Sequence, residues 1–218
     1  MNDQIDLLKK RGLLGIDESG KGDFFGPLVI AGVLADEKDS ARMLEMNIRD
    51  SKKIADGRIL QLADWIKENF PHSLVVIGPE KYNELYQKIN NLNRLLAWGH
   101  SRVIENIAEE HQIEKAVSDK FGKPELIISA LMKQGKKIVL EQIVRGESIT
   151  QVAAASILAR AEFVRSLKRI EQNFGVKLHK GAGPPVDIAA KAIVRTMGPE
   201  ILSKIAKIHF KNFTRAVQ

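Results

Sequence analysis

Asp17 and Glu18 stand side by side at the end of an apolar run that begins at Leu13, and Ser19-Gly20 follows them at once. Adjacent side chains on a strand point to opposite faces, so two neighbouring acids serve one site only where the chain leaves the strand. Asp119 follows a second short strand-like segment, Lys115 to Ser118, and Glu147 lies between another, Ile138 to Val144, and an alanine-rich stretch. Strand ends are where α/β folds place ligand sites. Four carboxylates gathered there would suit two divalent cations roughly 3.5–4 Å apart, the arrangement that stabilises both attacking and leaving oxygens in phosphoryl transfer. Mg²⁺ and Mn²⁺ both accept such oxygens. The chain has no cysteine, and its five histidines show no i, i+4 ligand spacing. Acids at strand ends are also common as solvated turn residues, and convergence of the four is not written in the spacing.

Between the first two strands runs Gly20-Lys21-Gly22-Asp23-Phe24-Phe25-Gly26. It is not a dinucleotide fingerprint, because the third glycine falls one residue late and a strand follows where a helix should begin. Nor is it a phosphate-binding Walker loop, because no Ser or Thr follows Lys21 and the glycine spacing is wrong. No organic cofactor is therefore expected. A tight turn is certain, since glycine reaches positive φ without steric cost. A turn of this composition also presents bare N–H groups and one lysine to a sugar–phosphate chain, which a side chain at Gly20 or Gly22 would hold off.

The elements that must position these groups alternate. Leu13 to Asp17, Pro27 to Ala35, Leu74 to Ile77, Lys115 to Ser118 and Ile138 to Val144 read as strands. Helical spacing marks Ile59 to Phe70, Asn91 to Glu110 and Val152 to Phe174, Pro79 opens another helix, and Asp187 is placed as the N-cap of one more. Ala153, Ala154, Ala155 and Ser156 are small enough to bring the long helix close to a sheet. The first two strands have no helix between them, which demands antiparallel pairing there and a mixed sheet overall. The expectation is an α/β domain: five strands flanked by helices, residues 1–218 as one unit, with a helical C-terminal appendage over about 187–218. Trp65, Trp98, His100 and His111 are expected to pack partly or wholly inward.

A chain of 218 residues with 44% hydrophobic and 28% charged content has the make-up of a folded globular protein. Its net charge of +7, from 34 basic and 27 acidic residues, suggests a polyanionic partner. Without cysteine, neither disulfides nor a thiolate metal site can form. The polar N-terminus has no apolar segment of a secretory signal, and no run approaches a membrane span, so a cytoplasmic, membrane-free monomer is expected.

The segment Gly15-Ile16-Asp17-Glu18-Ser19-Gly20-Lys21-Gly22-Asp23-Phe24-Phe25-Gly26-Pro27 resembles the signature of type 2 ribonucleases H. Further matches follow in order: Asp50-Ser51-Lys52-Lys53, Ser118-Asp119, the run Val152 to Arg160, Lys180-Gly181-Ala182-Gly183, and Ala206-Lys207-Ile208-His209-Phe210. The resemblance implies a ribonuclease H-like fold and endonucleolytic hydrolysis of the RNA strand of RNA–DNA hybrids, with 5′-phosphate and 3′-hydroxyl ends. It implies that Asp17, Glu18, Asp119 and Glu147 ligate Mg²⁺ or Mn²⁺. It implies that Gly20, Lys21 and Gly22 read the ribose 2′-hydroxyl, which separates RNA from DNA, and that Ser51 and Lys52 contact phosphate. Ser156 is assigned to close helix packing.

Lys21, Asp23, Glu147 and the stretch Asn91 to His100 resemble the ribonuclease HIII branch. Ribonuclease HII usually carries Arg at the Lys21 position, Asp as the fourth ligand, and a junction-sensing Tyr where Ala182 stands. Cutting at a lone ribonucleotide in DNA is therefore expected to be poor. Ribonuclease HIII usually also has an N-terminal substrate-binding domain, and only about a dozen residues precede the first strand here, too few for one. The competing expectations are single-ribonucleotide cleavage of the HII type, a non-catalytic hybrid-binding module, and another nuclease or transferase on the same fold.

Overall fold

The structure is a computed structural model that describes residues 11–49, 51, 54–131 and 135–218. Lys52 lies outside the described residues, as do its motif neighbours Asp50 and Lys53. Five strands form one mixed sheet in the order β3-β2-β1-β4-β5: β1 Arg11–Ser19, β2 Leu28–Ala35, β3 His72–Ile77, β4 Gln112–Asp119 and β5 Val139–Ile143. Residues 20–27 join β1 to its neighbour β2, too short a link for a parallel crossover, so this pair runs antiparallel. By contrast β1, β4 and β5 are parallel, with Ile16 opposite Ser118 and Asp119 opposite Ile143. Three strands therefore end at one edge, and Asp17 and Asp119 stand at that edge because of the register.

The helices follow in chain order: α1 Glu37–Glu45, α2 Asp56–Asn69, α3 Pro79–Ile89, α4 Leu92–Ala108, α5 Pro124–Ala130, α6 Thr150–Phe174, α7 Pro184–Met197, α8 Ile201–Ile205 and α9 Lys211–Val217. All eight residues of β2 are buried, which is why that strand reads as an unbroken apolar run. Helix α6 begins almost in contact with β1: a Cβ on Gly15 would lie 2.2 Å from the Gln151 carbonyl carbon. Likewise a Cβ on Gly99 would lie 2.6 Å from Ile30, so α4 presses its glycine onto β2. The small residues on helix and strand thus set the helix–sheet distance.

Contacts divide the chain into two compact units. The first holds residues through 18, 30–75 and 92–161; the second holds 19–29, 76–91 and 162–218. Charge is divided unevenly between them. Twenty basic residues balance twenty acidic ones in the first, while fourteen face seven in the second. The whole excess of +7 therefore belongs to the second unit.

Two expectations need correction. Helix α7 starts at Pro184 with Gly183 as its N-cap, not at Asp187. Two prolines occupy positions whose missing N–H groups would be unpaired anyway, and Asp187 instead accepts from Asn212 (2.6 Å) and Arg215 (3.1 Å) on α9. Trp98 does not pack inward: it is 41% exposed, while its helix neighbours Leu95, Leu96 and Ala97 are buried. Among the described residues, no helix is long and apolar enough to cross a membrane.

Candidate active site

All four carboxylates named from the sequence fall in the first unit. Asp17 and Glu18 are the two residues before the last of β1, Asp119 ends β4, and Glu147 sits in the short 3-10 turn Gly146–Ser148 that leads from β5 into α6. That turn is tied to the strand end, because the Gly146 N–H donates to Asp119 Oδ1 at 3.0 Å. Packing there is tight, since a Cβ on Gly146 would lie 3.1 Å from the Asp119 backbone. Glu147 is thus one residue from a fixed contact with the Asp119 carboxylate.

Electrostatics bring the acids together more plainly. The Asp17 carboxyl is pushed up from an ordinary 3.8 to about 7. Burial is the main cause, and the neighbouring Glu18 charge is next. The Ser156 hydroxyl and the Glu18 N–H, which donates to Asp17 Oδ1 at 2.8 Å, oppose the rise, and the Asp119 charge adds to it. The Asp17 carboxyl therefore feels two other carboxylates, Glu18 beside it and Asp119 at the end of β4. Among the described residues, no three Asp, Glu or His side chains stand close enough to enclose one ion as placed. The donors nonetheless have hard-cation chemistry: carboxylate oxygens only, crowded enough that one keeps its proton to near neutrality.

Ser156 does more than permit close packing. Its hydroxyl bonds to Asp17 and lies 2.9 Å from the Ser51 hydroxyl. Ser51 in turn is held through its carbonyl by Arg160, whose other nitrogen pairs with Asp56 at 2.8 Å. Ser51 is only 4% exposed, so its hydroxyl is committed to Ser156 in this structure. Glu18 has its own buried neighbour, His100 on α4, with Nε2 3.3 Å from Oε2.

In the second unit three motifs far apart in sequence meet. The Gly181 N–H donates to Asp23 Oδ1 at 2.5 Å, and the Phe24 N–H donates to the Gly181 carbonyl at 2.9 Å. The Lys207 N–H donates to the Phe24 carbonyl at 2.8 Å. Lys207 is wholly buried, and its ammonium donates to the Gly26 carbonyl at 2.6 Å, with those of Pro27 and Phe25 at 3.4 and 3.5 Å. Burial pushes this lysine down to about 7 while the Asp23 charge opposes the fall. The glycine loop is therefore braced on one side by Lys180–Gly183 and on the other by Ala206–Phe210. Within it the glycines differ. Gly20 has φ +88°, and a Cβ there would strike the Pro27 carbonyl at 2.1 Å, so the turn itself demands glycine. Gly22 is exposed, and a Cβ there would meet nothing within 4 Å.

The family model described as Ribonuclease HII matches residues 14–213. The chain belongs to the ribonuclease HII family. Among the ribonucleases it resembles, Ribonuclease HIII of Chlamydia abortus (strain DSM 27085 / S26/3) is 48% identical over 203 residues, 92% of this chain and 68% of that protein. The solved structure of Bst-RNase HIII in complex with Mn²⁺ superposes with a TM-score of 0.87 at 31% identity, covering 98% of this chain and 71% of that one. Aquifex aeolicus RNase H3 gives a TM-score of 0.75 at 31% identity, covering 95% and 76%. As a member of the ribonuclease HII family, the protein is a ribonuclease H, a hydrolase, and its named curated relatives place it on the HIII side of that family.

Three residues make buried contacts that their types and spacing do not reveal. Ser156 was hidden by the alanines around it, His100 by its place on an apolar helix face, and Lys207 because a lysine is rarely buried. Each sits inside one of the motifs, Asn91 to His100, Val152 to Arg160 and Ala206 to Phe210, and that is the signal the sequence carries.

Proposed function

We propose that the protein is an endoribonuclease that hydrolyses the RNA strand of RNA–DNA hybrids, with Asp17, Glu18, Asp119 and Glu147 as the ligands of Mg²⁺ or Mn²⁺. The observation that carries this reading is the Asp17 carboxyl, raised by burial and by the Glu18 and Asp119 charges at the shared end of parallel strands. Such crowding disfavours three ionised carboxylates in the metal-free site, and a bound cation would relieve it. The Mn²⁺ complex of Bst-RNase HIII supports a divalent cation of this kind. Bound ions of this type activate water and stabilise the departing oxygen, which leaves 5′-phosphate and 3′-hydroxyl ends.

The chain's own residues do the rest. Asp17 must lose its proton to serve as a ligand, and the Ser156 hydroxyl and Glu18 N–H stabilise the ionised form. The second unit, with its surplus of seven positive charges, supplies the attraction for a phosphate backbone. Lys21 and the open backbone at Gly22 face a partner without a side chain at Gly22 in the way, which suits close reading of a ribose 2′-hydroxyl. Lys52 is proposed as a phosphate contact from its motif. Ser51 is proposed beside it, its hydroxyl turned toward Ser156 here.

A cleavage assay tests the reading. Equal amounts of an RNA–DNA hybrid, a DNA duplex with one ribonucleotide and an all-DNA duplex are incubated with Mg²⁺, with Mn²⁺ or with EDTA. Cleavage of the hybrid's RNA strand with either cation, little at the lone ribonucleotide, and none in EDTA are expected. Binding of the hybrid without cleavage would make the protein a non-catalytic module. Efficient cutting at the lone ribonucleotide would move its activity to the HII type.

A further inference from the structure

We infer that His100 is a positioning residue that fixes the Glu18 carboxylate for the cation, an inference that rests on the metal-site reading above. The ring has 0% exposure, and its Nε2 lies 3.3 Å from Glu18 Oε2. The other ring nitrogen, Nδ1, is buried with no hydrogen-bond partner among the described residues. A carboxylate oxygen only accepts, so the ring nitrogen that faces it is the donor. His100 therefore donates from Nε2 to Glu18.

The ring cannot drift. Its helix is pressed onto β2 through Gly99 against Ile30, and Leu96, Val103 and Ile104 around it are fully buried. One face of the imidazole meets Phe121, with centroids 4.6 Å apart and planes at 49°. Phe121 lies two residues beyond Asp119. Helix α4 thus bonds one proposed ligand, Glu18, and through His100 touches Phe121 just past another, Asp119. A glutamate has three rotatable bonds, and a single rigid donor on one oxygen removes most of that freedom before a cation binds. Groups that hold ligands in this way typically contribute about ten- to a hundredfold to metal affinity.

The test uses the full chain and two amide substitutions. In His100→Gln the amide nitrogen reaches the place of Nε2; in His100→Asn it stops one bond short. Mn²⁺ binding is measured by calorimetry without substrate, hybrid cleavage is followed over a range of Mn²⁺ concentrations, and hybrid affinity is measured in EDTA. His100→Asn is expected to bind Mn²⁺ about tenfold or more weakly, with a matching rise in the Mn²⁺ needed for cleavage and an unchanged hybrid affinity in EDTA. His100→Gln is expected to recover most of the loss. If His100→Asn fails to fold by thermal melting, His100→Met, which fills the space without an N–H, takes its place with the same gap from Gln expected. Equal Mn²⁺ affinity in the Gln variant and its partner, whether at the wild-type level or below it, overturns the inference. A wild-type protein that takes up no Mn²⁺ overturns the carboxylate-site reading and the role of His100 with it.

Discussion

Replacing Asp17 by Asn should make the metal-free protein more stable at alkaline pH than at acid pH, relative to wild type. In the folded chain the Asp17 carboxyl titrates at about 7, against 3.8 for the ordinary group. The folded state therefore holds a proton that the unfolded chain has released, and the extra stability is full below about pH 4 and lost as the pH rises through 7. One pKa unit is worth about 1.4 kcal/mol, so about three units correspond to about 4 kcal/mol. Partial solvent contact of Asp17 reduces this to on the order of 2 kcal/mol, or about 4–8 °C in a chain of this size. Asn carries no charge at any of these values. In EDTA, the melting temperature of Asp17→Asn minus that of wild type should grow by that amount between pH 4.5 and 8, and Mn²⁺ should shrink the gap at pH 8 by stabilising wild type alone. A difference that stays constant across the pH range would refute the argument, because Asp17 would then not be a raised carboxyl in the folded state.

Other perturbations follow from the same geometry. Ser156→Ala removes a hydroxyl that lowers the Asp17 pKa, so the acid limb of the pH–rate profile of hybrid cleavage should move to higher pH; an unmoved limb would remove Ser156 from the site. Lys21→Ala should weaken hybrid binding and reduce the slope of log affinity against log salt by about one, whereas a slope equal to wild type would take Lys21 off the phosphate backbone. Gly15→Ala places a methyl 2.2 Å from the Gln151 backbone and should cost about 3 kcal/mol or more in chemical denaturation. A loss below about 1 kcal/mol would mean that α6 can move away from β1 freely.

Much of this organisation was legible in residue types. The unbroken apolar run of β2 announced a strand buried on both faces, and the missing helix before it announced the antiparallel pair. The convergence of Asp17 with Asp119 was not legible, because it depends on the register of β1 against β4, in which Ile16 faces Ser118. Register is set by side-chain packing across the sheet, not by the spacing of the acids along the chain. Asp187 shows the opposite failure: its side chain suits an N-cap, but two prolines just before it had already started the helix. Helix α1 carried a readable capping box, Asp36 and Asp39 bonding each other's backbone N–H, yet it is too short for periodicity to reveal it. Ser156 and His100 act through partners distant in sequence, Asp17 and Glu18, and no pattern along one stretch of chain records such a pairing.

The central claim is that four carboxylates at one strand edge form the hydrolytic site. Its most direct test is hybrid cleavage by Asp17→Asn, Glu18→Gln, Asp119→Asn and Glu147→Gln, one at a time, each with hybrid affinity measured in EDTA. Each rate should fall at least about a hundredfold, with binding in EDTA equal to or tighter than wild type, since a negative charge facing phosphate has been removed. Retention of near wild-type cleavage by Asp17→Asn or Asp119→Asn would contradict the account, because the site would then not be built on the acids that the sheet brings together.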